Sequence, residues 1–195
     1  MRRKNPGKPG TMPGVGGNSC VRKPARFKDD VWACDFIHDR TAGGGSLKWL
    51  TLVDESTREC PVLHAAGSLS GADVRRIVAR VVGRRGPPGR IRSNNGSESI
   101  CEALTSWWKE VGSEPIAVEA GSPWRNGFIE SFHSRLRDEF LERVEFESVA
   151  DARAKGGWFR REYNTIRPHS SIGYKTPREF GEECDRKKSN EDATI

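Results

Sequence analysis

Residues 31–38 read VWACDFIH, an apolar, β-branched and aromatic run of strand length with one acid, Asp35, in its interior. A carboxylate inside a strand built for burial needs a compensating partner, and a divalent cation is one such partner. Outward from this run, a glycine turn at Gly43–Gly45 leads to strands predicted at 47–53 and 60–65, joined by the polar segment 54–59. Residues 70–84 place Val74, Ile77, Val78, Val81 and Val82 at helical spacing. A short strand at 90–92, a helix over 97–111 and a fifth strand at 116–118 follow, then helices over 126–142 and 149–163. Three meandering strands, then helix, strand, helix, strand and further helices, form a mixed α/β order.

Flanking this core, residues 1–28 are rich in Gly, Pro, Lys and Arg, and residues 182–195 are polar; both read as tails around a core at 29–181. The net charge is +6, but eight basic residues and no acid fall in the first 28 positions, so the remainder is close to neutral. Charge alone is therefore a weak argument for nucleic acid, although a basic arm adds salt-sensitive phosphate contacts. No apolar run approaches the roughly 18 residues of a membrane span, and no signal peptide opens the chain, so the cytoplasm is the expected compartment. Five cysteines without a CxxC pair argue against a disulfide framework or a zinc knuckle.

Two more polar positions stand where a strand stops or a helix begins. Asn94 follows the fourth strand in IRSNNG, and Glu130 lies early in the long helix in GSPWRNGFIESF. On that helix Phe128, Phe132, Leu136 and Phe140, with Ile129 beside them, make the buried stripe, and Glu130 points away from it with Ser134 and Arg137. Periodicity fits a ligand in a cleft and a solvated surface acid equally.

The segments VWACDFIHDRT, LTLVDESTREC, IRSNNG, GSPWRNGFIESFHSRLRDE and YNTIRPHSSIGYKTP resemble the integrase core of bacterial insertion-sequence transposases made from two overlapping reading frames, relatives of the retroviral integrases. The 35 residues between Asn94 and Glu130 match the interval which that family keeps between its last two acids. The resemblance implies an RNase H-like fold, a mixed five-stranded sheet flanked by helices. It also implies DNA transposition by strand cleavage and strand transfer, with Asp35, Asn94 and Glu130 in the three catalytic, metal-binding positions. Two Mg²⁺ ions, or Mn²⁺ as a substitute, would serve phosphoryl transfer there. Expected partners are transposon-end and target DNA and further copies of the chain, in a nucleoid-associated bacterial setting. Arg135, Arg137 and His133 on the long helix are the candidate DNA contacts.

The chain departs from the family pattern at one ligand. The family carries Asp where Asn94 stands, and an amide keeps a carbonyl oxygen but loses the charge, so weak metal binding and impaired catalysis are expected. Glu98 is expected in the first turn of the following helix rather than as a substitute ligand. Family sequence begins near residues 17–20 without the upstream helix-turn-helix, which suggests a truncated or frame-shifted element. Gly156-Gly157 within a helix points the same way, since each costs about 1 kcal/mol relative to alanine. The alternative function is a catalytically inactive DNA-binding or oligomerising remnant that competes with an intact transposase. Asp54 and Glu55, near Arg58 and Glu59, read as a local salt-bridge turn, and His169 as a structural residue.

Overall fold

Strict alternation along β1 (Val31–Arg40) decides how the layers stack. Trp32, Cys34 and Phe36 face one way, into a cluster with Leu50, Leu52, Val74, Val78, Ile91 and Trp108, whereas Ile37 joins Trp49, Val53, Phe132, Leu136 and Phe159 on the other side. A strand apolar on both faces belongs in the middle of a sheet. The computed structural model describes residues 24–93, 98–117 and 127–193, and it puts β1 at the centre.

β1 pairs antiparallel with β2 (Ser46–Asp54), which pairs antiparallel with β3 (Val62–Ala66). On its other edge β1 runs parallel to β4 (Arg90–Ser93), and β4 parallel to β5 (Glu114–Ala117), giving the order β3-β2-β1-β4-β5. α1 (Gly71–Arg85) and α2 (Glu98–Glu110) cover one face, and α3 (Gly127–Leu136) and α4 (Val149–Thr165) the other. The mixed five-stranded sheet flanked by helices is the expected RNase H-like arrangement. Helix α1 starts where the sequence signals it: Ser70 and Asp73 form a capping box, and Gly86 ends the helix at φ +81°.

Four local differences have physical causes. β3 starts at Val62 instead of residue 60 because Asn164 clamps Cys60, accepting from its N–H and donating to its carbonyl, each at 2.9 Å. β5 includes Pro115, which propensity excludes but an edge strand tolerates. The long helix leaves α geometry at Arg137 and ends in a π turn, Arg137–Leu141, with the Glu142 N–H bonded to the Arg137 carbonyl at 3.0 Å. The C-terminal segment, expected to fray from Glu182, is helix α5 (Pro177–Asp192). A Thr176–Glu179 capping box, Pro177 in the first turn and the Arg178–Glu182 and Glu183–Lys187 pairs support it despite its polarity.

The glycine pair in α4 also differs from its expectation, at one of the two positions. A Cβ on Gly156 would lie 2.5 Å from Trp49 Cζ3, so this glycine is what lets α4 lie on the Trp49 indole, itself packed edge-on to Phe140 and Phe146. Gly157 has open space around its Cβ position. Gly156→Ala is expected to cost about 1–3 kcal/mol through overpacking. Gly157→Ala is expected to stabilise by up to about 1 kcal/mol. Urea unfolding of the two variants checks this, and equal shifts of the same sign would contradict the packing assigned to Gly156.

Candidate active site

Asp35 stands halfway along the central strand, opposite Thr51 of β2, on the face that α3 covers. Its Oδ1 accepts from the Phe36 N–H at 2.8 Å, and its side chain keeps 18% exposure, enough to meet a ligand from solvent. The Thr51 hydroxyl donates to the Asp35 carbonyl at 3.0 Å and lies 2.8 Å from His133 Nε2. His133 Nδ1 stands 3.8 Å from Asp35 Oδ2, too far for a hydrogen bond. The imidazole is thus wedged between β1, β2 and α3, and it fixes the height of the helix above Asp35.

Glu130 precedes His133 by three residues, so it sits about one turn away along α3. It is exposed, in the first turn of the helix, where the backbone dipole favours a negative charge. The buried stripe is Ile129, Phe132, His133 and Leu136, so Glu130 does face away from the core. Asn94 lies outside the described residues. Its predecessor Ser93 pairs with Cys34, the predecessor of Asp35, so β4 ends level with the acid on β1. Glu98 lies in the first turn of α2, as expected.

The structure therefore places His133 of α3 beside Asp35, with Glu130 one turn earlier on the same helix. Among the described residues no three His, Cys, Asp or Glu side chains converge on one point. The two described donors are carboxylates, one part-exposed on β1 and one exposed on α3, and oxygen donors of this type suit Mg²⁺ or Mn²⁺.

His133 corrects its expectation. It is 8% exposed and packs in the core between β1, β2 and α3, where the sequence reading expects a DNA contact. Burial, with a smaller push from Arg137, drives its pKa down to about 4, and burial with Arg135, Arg167 and Arg58 does the same to His169. Both imidazoles are therefore neutral at pH 7. Unfolded imidazoles take up protons near pH 6.5 and these only near 4, so the unfolded state binds more protons in between. Stability is expected to fall from pH 6.5 to pH 4, by at most roughly 3 kcal/mol for each histidine. Urea midpoints across that range test this, and a flat profile would contradict it. Arg137 is exposed, and Arg135 is half-buried beside a cavity.

Asp54 and Glu55 form more than a local turn. Asp54 is fully buried and accepts from the N–H groups of Asp29, Ser56 and Thr57, with Arg85 of α1 at 3.4 Å. Glu55, 2% exposed, binds Arg92 of β4 at 2.7 Å, and burial raises the pKa of both acids. Arg92 pairs with Ala33 in the ladder, so this ion pair fixes β4 two residues before Asn94 and beside the strand that carries Asp35. Sequence reading missed Arg85 and Arg92. Arg92 inside a short strand was the available signal, since a charge in a strand flanked on both sides asks for a buried partner.

Two family models, each described as integrase core domain, match residues 26–123 and 111–177. An uncharacterized 39.2 kDa protein of insertion element IS476 from Xanthomonas euvesicatoria is 40% identical over 152 residues, covering 78% of this chain and 44% of its own. The transposase for insertion sequence element IS904 from Lactococcus lactis is 28% identical over 159 residues, covering 80% and 62% respectively. The chain thus spans about half the length of the curated relatives it matches. In three dimensions the HTLV-2 integrase catalytic core domain, solved in complex with magnesium in a trimeric form, aligns over 80% of this chain with a TM-score of 0.60 and 12% identity.

Proposed function

Because the chain belongs to the integrase core domain family of insertion-element transposases, we propose that it is a DNA strand-cleavage and strand-transfer core whose chemistry is impaired by Asn94. The observation that carries the reading is the placement of Asp35 on the central strand, under the helix that presents Glu130, with His133 and Thr51 holding the two elements together. In the reaction, water or a DNA 3′-hydroxyl attacks phosphorus, and the bond to the leaving 3′ oxygen breaks. A pair of divalent ions, when bound, would supply nucleophile activation and leaving-group stabilisation.

The chain's own residues do the rest by position and charge. Asp35 and Glu130 would hold the cations, and Asn94 would supply a neutral amide where the family has a full charge. His133, neutral and buried, keeps α3 at a fixed distance from β1 without adding a charge beside Asp35. Arg137 meets the DNA backbone. Transposon ends and target are the DNA partners, and the active form is an oligomer of this chain, as the trimeric form of the similarly folded viral core suggests.

A second reading follows from Asn94 itself: a remnant that binds DNA or its own kind without cutting, and competes with an intact transposase. A labelled duplex incubated with the unaltered chain and Mn²⁺ decides between them. Binding without nicking supports the remnant. Slow nicking that disappears in Glu130→Gln supports the impaired enzyme, and no duplex binding at all contradicts both the enzyme and a DNA-binding remnant, leaving one that only oligomerises.

A further inference from the structure

A cavity of about 310 Å³ opens between α3, the bend after β2 and the turn at Ser170–Ile172. We infer that it is a phosphate-binding pocket, which, on the DNA reading above, takes a backbone phosphodiester of the strand lying along α3. Arg58, Arg135, His169, Ser131, Ser170 and Ser171 supply its polar lining, and no acid is among the described residues that line it.

Arg58 is held ready for an anion. Its backbone adopts φ +65°, a conformation costly for a non-glycine residue and characteristic of functional sites. Its guanidinium stacks on Phe128 at 4.0 Å, donates to the Glu55 carbonyl at 2.6 Å and reaches Ser171 Oγ at 3.3 Å. Arg135 has no carboxylate partner among the described residues. His169 is 5% exposed, and its Nε2 is buried without a hydrogen-bond partner. A buried polar atom left unpaired is costly, and so are two cations sharing a cavity without an anion. One phosphate satisfies all three: two guanidiniums provide charge-assisted donors, and the imidazole and serine hydroxyls complete its shell. Ser131 follows Glu130 directly on α3, so a phosphate seated here places its strand beside the reacting carboxylates.

The test uses inorganic phosphate as the probe and the whole chain as the sample. The chain has four histidines, so ¹⁵N spectra of the rings resolve His169. Phosphate is expected to move the His169 Nε2 signal saturably, with His38 and His64 unmoved. Arg135→Gln is expected to weaken that response about tenfold, and Arg135→Lys to retain most of it. In parallel, Arg135→Gln is expected to lower the slope of log affinity for duplex DNA against log salt by about one. A silent His169, or a response indifferent to Arg135→Gln, overturns the pocket even if DNA binds. A His169 response without duplex binding keeps the pocket and overturns the DNA reading instead.

Discussion

Asn94→Asp is expected to raise Mn²⁺-dependent nicking of a labelled duplex by a factor on the order of 10²–10³, the range seen when one preorganised electrostatic group is removed from an active site. The reasoning is electrostatic. Two dications a few ångströms apart repel strongly, and each carboxylate lost from their shell leaves that repulsion less compensated. An amide presents a carbonyl oxygen of similar shape, so position is kept while charge is lost. The described residues beside the position are in place: β4 ends at Ser93 in register with β1, the Arg92–Glu55 pair fixes that strand, and His133 of α3 packs beside Asp35. On the reading proposed above the missing charge is the cause of the impairment, so its return is expected to restore nicking. No gain in the Asp variant, with the fold verified, would mean that the damage extends beyond one ligand.

Arg92→Leu is expected to destabilise the chain by about 3–5 kcal/mol, the cost of stranding one charge of a buried pair. For a domain of this size that is roughly a 10 °C drop in Tm. Glu55 is 2% exposed, and burial already lifts its pKa despite Arg92 beside it. Without the guanidinium its pKa climbs further, and the folded state then takes up a proton more readily than the unfolded state. The loss should therefore shrink as pH falls. Glu55→Leu combined with Arg92→Leu should recover most of the stability, since two apolar groups replace two charges. A double variant no more stable than Arg92→Leu would show that the pair contributes little.

How much of this was legible in the sequence differs by element. The strand carrying Asp35 and helix α1 were clear, because the first is apolar on both faces and the second carries its cap and its period within a few residues. Family likeness, rather than periodicity, selected Glu130, since an exposed helix acid looks the same whether or not it binds a ligand. His133 was misplaced because its burial depends on Thr51, far along the chain and silent in any local pattern. Gly156 read as decay for a similar reason: only the Trp49 indole, on another element, explains it. The Asp54 and Glu55 partners Arg85 and Arg92 come from α1 and β4, beyond the reach of a turn-sized window. Local signals specified the elements, and contacts across the sheet specified the site.

Calorimetric titration of Mn²⁺ into Asn94→Asp, beside the same variant carrying Asp35→Asn, tests most directly whether positions 35, 94 and 130 share one cation site. Saturable binding by Asn94→Asp, much weaker in the unaltered chain and abolished by Asp35→Asn, is the predicted result. Binding that survives Asp35→Asn, or no binding by Asn94→Asp, would contradict it.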